Sequence, residues 1–155
     1  MKPRPILGII TVLLIALSGC AGSPPRPERP STPVQKEVIK TAHSLLGVPY
    51  KYGGMTPEGF DCSGFVNYVF RNAADVALPR ETHALVRAGK PVSVAELRPA
   101  DLVYFKIERR KPLHVGIYLG EGKFIHSPST RGKVNIQRLD QNYWKDRYLG
   151  ARRLL

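Results

Sequence analysis

Apolar residues recur every three or four positions in the first part of the chain. Residues 34–47 follow this period and end at a glycine, which predicts a helix. A second helix is predicted over residues 62–74, with Asp61 as its N-cap. A third, short helix ends near Arg87. The apolar faces of the two longer helices comprise Val34, Val38, Ile39, Ala42, Leu45 and Leu46, and then Phe65, Val66, Val69 and Phe70.

From residue 102 onward the period changes to two, and the sequence becomes rich in residues that favour strands. A basic turn at 108–112 and a Gly-Glu-Gly turn at 120–122 separate the first predicted strands, and one helical turn is predicted at 142–146. Because helices precede strands, we expect an α+β domain with a roughly five-stranded antiparallel sheet and helices packed on one face. The predicted strands are 102–107, 113–119, 123–127, 134–138 and 148–154.

The first nineteen residues are typical of a signal peptide. Lys2 and Arg4 precede the apolar run 6–17, which is short for a membrane span but normal for an export signal. Residues 17–20, Leu-Ser-Gly-Cys, resemble the bacterial lipobox, which implies cleavage before Cys20 and lipid on its thiol. An ordinary signal peptide with Cys20 incidental is the alternative. Residues 21 and 22 are not acidic, which by the same resemblance favours the periplasmic face of the outer membrane.

Residues 20–33 are rich in proline and contain few apolar side chains, so they are predicted to form an extended tether before a domain at 34–155. The formal net charge is +12, or +10 without Lys2 and Arg4. Such a charge favours anionic partners, namely lipid headgroups, an acidic wall polymer or nucleic acid. A secretion signal argues against nucleic acid.

Cys62 is a candidate nucleophile, disulfide partner, metal ligand or buried thiol. Only two cysteines are present, so a lipid on Cys20 would leave Cys62 unpaired in an oxidising compartment. A cysteine in the first turn of a helix is favoured as thiolate by exposed N–H groups and the helix dipole. Catalytic zinc sites commonly take two ligands from one element, and no such close pair is present with Cys62, so neither a metal nor another cofactor is predicted.

Two histidines lie in the predicted sheet and supply the remaining groups of a cysteine nucleophile site. Such a site needs an imidazole to activate the thiol and a polar group to orient that imidazole. His114 begins one predicted strand and His126 ends the next. The register of their hairpin does not bring them level, although both side chains are expected to face the helical layer.

Three strings of the sequence together resemble the NlpC/P60 family of cell-wall cysteine peptidases. They are Asp-Cys-Ser-Gly-Phe-Val at 61–66, His-Val-Gly-Ile-Tyr at 114–118 and Phe-Ile-His-Ser at 124–127. Further blocks match in the same order at 49–54, 78–80 and 97–102. Ala100 departs from the family pattern, which has glycine there; the turn is remote from the thiol in sequence, so no effect on activity is expected.

The resemblance implies a papain-like core with a Cys-His-His triad. In it Cys62 is the nucleophile, His114 the base that forms a thiolate–imidazolium pair, and His126 the group that orients His114. The family tyrosine near the thiol corresponds to Tyr50, and the start of the helix, including Ser63, would bind the oxyanion. Asp61 is interpreted as a cap rather than an acid, whereas Arg80 is either a contact for an acidic substrate or part of a solvated turn.

The sequence thus predicts a membrane-anchored cysteine peptidase that hydrolyses a peptide bond in the stem or cross-link of peptidoglycan. It is expected to be monomeric, attached to the membrane through Cys20, and without nucleic acid as a partner. The scissile bond and any regulatory partner stay open. Two alternatives remain: an acyltransferase or amidase acting on a non-murein substrate, and a non-catalytic wall-binding lipoprotein.

Overall fold

A computed structural model describes residues 30–107, 113–129 and 132–155. The predicted signal peptide, Cys20 and most of the predicted tether lie outside the described residues, as does the basic turn at 108–112. Within those three ranges, no helix is long and apolar enough to cross a bilayer.

In the part of the chain that the structure describes, two helices of three turns or more form the helical layer. Helix α1 spans Pro33–Ser44, and its N-cap Thr32 forms a capping box with Gln35. Helix α2 spans Cys62–Ala74 and begins directly after the N-cap Asp61. Both were predicted from the apolar period, with boundaries that differ by at most three residues. A small hairpin, β1 (Met55–Thr56) and β2 (Gly59–Phe60), precedes α2, and the short helices are α3 (Thr82–Leu85), a 3-10 turn (Val94–Glu96) and α4 (Asn142–Lys145).

Among the described residues the main sheet is antiparallel throughout and has six strands, one more than the sequence predicts. The additional strand is β3, which pairs with β8 at the sheet edge, where Pro91 can be tolerated. The α+β prediction is confirmed. In sheet order the strands are β3 (Lys90–Val92), β8 (Tyr148–Arg153), β4 (Leu102–Phe105), β5 (His114–Gly120), β6 (Lys123–His126) and β7 (Asn135–Arg138).

Apolar side chains cover both faces of the sheet. On the face toward α1 and α2, Ile117 and Ile125 pack in one cluster with Val38, Phe65 and Val69. The opposite face carries a second cluster closed by the short helix α4, whose members include Val103, Phe105, Phe124 and Trp144. Alternation along the strands therefore sends side chains into two cores. This explains why all four residues of β4 are buried.

The turn before β4 shows why the family pattern has glycine at position 100. Ala100 has φ 73°, a left-handed conformation that a Cβ disfavours. Its N–H donates to the Tyr118 carbonyl (2.9 Å), and the Asp101 carbonyl accepts from Tyr118 N–H (2.8 Å). These bonds hold the strained turn against β5.

The start of α2 lies against the loop before β1, and Gly64 makes this close approach possible. A Cβ at Gly64 would lie 2.0 Å from the Gly54 carbonyl oxygen, which is backbone and cannot rotate away. Replacing a helical glycine with alanine ordinarily stabilises by about 1 kcal/mol. Here we expect Gly64→Ala instead to reduce the free energy of unfolding by about 3 kcal/mol or more, because overpacking forces backbone shifts.

Urea unfolding followed by circular dichroism measures this change. The matched control is Arg71→Ala, at an exposed position of the same helix, where the free energy of unfolding should stay within about 0.5 kcal/mol of wild type. A Gly64→Ala protein as stable as wild type would show that α2 can move away from the loop.

Candidate active site

Asp61 joins three segments at the start of α2. Its Oδ1 accepts the Gly64 N–H (2.7 Å), which caps the helix, and its Oδ2 accepts the Gly53 N–H (3.1 Å) from the preceding loop. Arg80 binds both carboxylate oxygens, with 2.9 Å from Nη1 to Oδ1. The carboxylate thus serves as a cap, as the sequence analysis expects. The role of Arg80 was open from the sequence; in the structure its guanidinium holds the loop before α3 to the start of α2.

The hydroxyl of Ser63 is part of the same network. It donates to Asp61 Oδ1 (3.2 Å) and accepts from Arg80 Nη1, and the residue is buried. Because both bonds occupy the side chain, what Ser63 offers to a bound group is its backbone N–H in the first helical turn.

Cys62 is the first residue of α2 and is partly buried, with a free thiol. Its Sγ lies 3.9 Å from the hydroxyl oxygen of Thr82, the first residue of α3. The backbone N–H groups of Val115 and Ser63 also favour the thiolate, so the sulfur faces the residue that follows His114 in β5. Burial nevertheless dominates and raises the pKa of the Cys62 thiol above its usual value.

Nothing in the sequence singles out Thr82. It lies two residues beyond the matched block 78–80, and a threonine in a short polar stretch carries no pattern of its own. Only the buried position of its side chain beside the sulfur shows that it belongs to the site.

His114 and His126 form a direct hydrogen bond. His114 Nε2 and His126 Nδ1 are 2.7 Å apart, and the two rings are nearly perpendicular, at 85°. Ile117 pairs with Ile125 in the antiparallel β5–β6 hairpin. One residue further from the turn, Gly116 and His126 therefore lie opposite each other. His114 thus reaches His126 diagonally, across a residue without a side chain. A Cβ at Gly116 would lie 3.3 Å from His126 Cβ and 2.8 Å from the Phe124 ring.

The two imidazoles lie on the sheet face away from α1 and α2, so the expectation that they face the helical layer is wrong. Trp144 packs against both rings, with centroids 5.9 Å from His114 and 4.9 Å from His126. Phe105 of β4 lies 6.4 Å from His114 on the same face. The physical reason is strand alternation: Val115 and Ile117 point to the helices, so His114 must point the other way.

Burial favours the neutral forms of both imidazoles. It lowers the pKa of His114 to about 4, and it lowers the pKa of His126 well below the usual value, with the neighbouring His114 charge acting in the same direction. Burial also raises the pKa of the Cys62 thiol. These shifts oppose the preformed thiolate–imidazolium pair that the resemblance implies and favour a neutral thiol and neutral imidazoles.

Tyr50 lies near the thiol, as the resemblance implies, whereas Tyr52 is 91% exposed. Burial raises the pKa of the Tyr50 hydroxyl, and the negative charges of Cys62 and Asp61 raise it further, so these groups are neighbours. In the part of the chain that the structure describes, no three histidine, cysteine, aspartate or glutamate side chains converge as a metal site would require. The structure groups Tyr50, Asp61, Cys62, Arg80 and Thr82 around the start of α2. The hydrogen-bonded pair of His114 and His126 begins at the residue before Val115, whose backbone N–H faces the sulfur.

Comparison with known proteins identifies the family. The profile of the NlpC/P60 family matches residues 47–153. The chain is 40% identical over 151 residues to the probable endopeptidase NlpC of Escherichia coli K12, covering 94% of this chain and 96% of that protein. It is also 40% identical over 129 residues to the murein DD-endopeptidase MepH of the same organism, covering 79% of this chain but only 48% of MepH.

Solved structures agree with the sequence matches. A crystal structure of an NlpC/P60 family protein from Bacillus cereus superposes with a TM-score of 0.74 at 34% identity, covering 81% of this chain and 41% of that one. The chain thus spans about half the length of some relatives and nearly all of another. On these matches, the protein belongs to the NlpC/P60 family.

Proposed function

We propose that this protein is a cysteine peptidase that hydrolyses a peptide bond in the stem or cross-link of peptidoglycan. The observation that carries the proposal is the position of the Cys62 sulfur, at the start of α2 and against the residue after His114, with His114 hydrogen-bonded to His126. The murein endopeptidase activity in the name of MepH supports the substrate class. The net charge of +10 that remains without Lys2 and Arg4 favours an anionic wall polymer.

The first chemical step is attack by sulfur on the scissile carbonyl. Because Nε2 of His114 is engaged with His126, Nδ1 is the nitrogen left to take the thiol proton. The S–C bond forms as that proton moves to His114, and the carbonyl oxygen becomes an oxyanion. Backbone N–H groups in the first turn of α2, including that of Ser63, are donors for it.

The second step releases the amine and forms a thioester on Cys62. The proton held by His114 passes to the leaving nitrogen as the C–N bond breaks, which returns the imidazole to its neutral form. A water molecule then loses a proton to His114 and adds to the thioester carbonyl, and thiolate departs and is reprotonated. The cycle starts and ends with neutral groups, consistent with the burial of both imidazoles.

We also propose that the protein is a lipoprotein of the outer membrane, with Cys20 carrying the lipid and residues 20–33 joining it to the domain on the periplasmic face. The lipobox at 17–20 supports this. Attachment would hold the enzyme close to the wall, which raises the local substrate concentration. Mass spectrometry of the wild-type protein should find an N-terminus at Cys20 that carries lipid, and Cys20→Ala should lose that lipid; a wild-type Cys20 without lipid would contradict the anchor.

The function is tested by digestion of purified muropeptides followed by mass spectrometry. Cross-linked dimers and uncross-linked stem peptides are offered separately, so the products also identify the bond that is cut. We expect products whose summed masses exceed the substrate by one water. Activity should persist in a metal chelator and disappear after alkylation of Cys62 with iodoacetamide.

The two alternatives give different results in the same assay. An acyltransferase or amidase for another substrate would leave every muropeptide intact while Cys62 still reacts rapidly with iodoacetamide. A wall-binding protein without activity would sediment with isolated sacculi, release nothing from them, and show no accelerated thiol alkylation.

A further inference from the structure

In the histidine pair, Nε2 of His126 has no hydrogen-bond partner at ordinary distance and angle among the described residues. His126 is 1% exposed, and its Nε2 makes no direct hydrogen bond within the described residues. Buried polar atoms of this kind are rare because each loses its bond to water on folding. The proposed mechanism uses the Nδ1 of this ring and leaves Nε2 unassigned.

The hydrogen bond to His114 decides which atom of His126 carries a proton. For His114 to accept the thiol proton on Nδ1, its own proton must sit on Nε2, which then donates to His126 Nδ1. His126 Nδ1 is therefore an acceptor, and the proton of His126 is on Nε2. The unpartnered atom is thus a buried N–H donor that lacks an acceptor.

Asn135 is the acceptor that the fold provides. It lies directly opposite His126 in the β6–β7 ladder, which places both side chains on the same sheet face. The Asn135 carboxamide raises the pKa of His126, which is the effect of an acceptor close to a ring N–H. The distance or angle of this contact nevertheless falls outside the range of an ordinary hydrogen bond.

Neighbouring groups fix the orientation of this carboxamide. Asn135 Nδ2 donates to the Lys133 carbonyl (2.9 Å), and Gln137 Nε2 donates to Asn135 Oδ1 (3.1 Å). Both bonds identify Oδ1 as the acceptor end, and that oxygen keeps a second lone pair for His126. The rings around His126 belong to His114, Phe124 and Trp144, and of these only His114 is titratable.

We propose that Asn135 is a positioning residue that accepts the Nε2–H of His126 and so extends the chain of groups to Cys62–His114–His126–Asn135. It acts through His126 and does not touch the substrate. By holding the His126 proton on Nε2, it keeps Nδ1 available to His114. It also stabilises the positive charge that develops when His114 takes the thiol proton. The proposal rests on the proposed function, because it assigns His114 as the base.

The test compares Asn135→Leu, which removes the acceptor, with Asn135→Asp, which strengthens it. For Asn135→Leu we expect kcat on muropeptides to fall about 10-fold or more with little change in KM, by analogy with the loss of hydrogen-bond partners of metal-bound histidines. Removing the acceptor lowers the pKa of the imidazole pair, so the acid limb of the kcat profile should move to lower pH. The Asn135→Asp carboxylate raises that pKa, and its limb should move to higher pH.

Alkylation of Cys62 by iodoacetamide provides a readout that does not depend on the substrate. At pH 7 the rate should fall in Asn135→Leu and rise in Asn135→Asp, even if no muropeptide is cleaved, which separates this proposal from the proposed function. Arg138→Gln, at an exposed position of the same strand, should behave as wild type in both assays. Wild-type alkylation rates in both Asn135 variants, with normal circular dichroism, would overturn the proposal; so would equal loss in both, which a purely structural role predicts.

Discussion

Cys62→Ala is expected to abolish muropeptide hydrolysis, lowering kcat about 10⁴-fold or more, to the level left by binding alone. The reason is that alanine has no atom that can form the thioester, and no other cysteine occurs after Cys20. Stability should change little, because the side chain is small and only partly buried, and the side-chain hydrogen bond that is lost is a long one, 3.9 Å to Thr82.

The measurement is the initial rate of product formation from cross-linked dimers at equal protein concentration. Circular dichroism melting confirms that the variant is folded, and Ser44→Ala, at an exposed position of α1, serves as a control that should keep full activity. Cleavage by Cys62→Ala at a rate near that of wild type would exclude a thiol nucleophile.

His114→Ala should lower kcat about 10³-fold, within the range that general acid–base groups contribute. Without the imidazole, the thiol keeps its proton, since burial raises its pKa and neutral hydrogen-bond donors alone oppose that shift. The leaving amine also loses its proton donor. His83→Ala is the matched control, because that side chain is 68% exposed and pairs only with Glu81 among the described residues.

The pH dependence of wild-type activity reports the protonation of the same group, the His114 imidazole. The pKa of His114 is lowered to about 4 by burial, so the base is neutral, and able to accept a proton, at every pH well above 4. Activity should therefore persist at pH 5 and fall as the pH approaches 4. An acid limb near 6.5, the usual value for an exposed histidine, would show that His114 is accessible to water or is not the base.

The local patterns of the sequence predict the elements that carry the site. An aspartate before an apolar face of period 3.6 predicts the cap and the start of α2, and with them the position of Cys62. Period-two strands predict that His114 and His126 lie in one sheet. The edge strand β3 is missed because three residues with a central Pro91 give too short and too atypical a pattern.

What the sequence could not supply depends on contacts between distant segments. The hairpin register does not place His114 and His126 opposite each other, so the sequence did not predict their contact. The pair forms because Gly116, which has no side chain, leaves room for His114 to reach His126 diagonally. Thr82 reaches the sulfur only after α3 packs beside α2. The neutral state of the imidazoles arises from the aromatic cluster around Trp144, a set of side chains drawn from four separate elements.

The central claim is that Cys62 and His114 act as one unit in peptide hydrolysis. Groups that act as a unit are not additive, so removing the second costs little once the first is gone. The direct measurement is a double-mutant cycle of kcat on cross-linked muropeptides with Cys62→Ala, His114→Ala and the double variant. We predict that the double variant matches Cys62→Ala within about threefold. A double variant whose loss is the product of the two single losses, or a Cys62→Ala protein that keeps wild-type activity, would contradict the account.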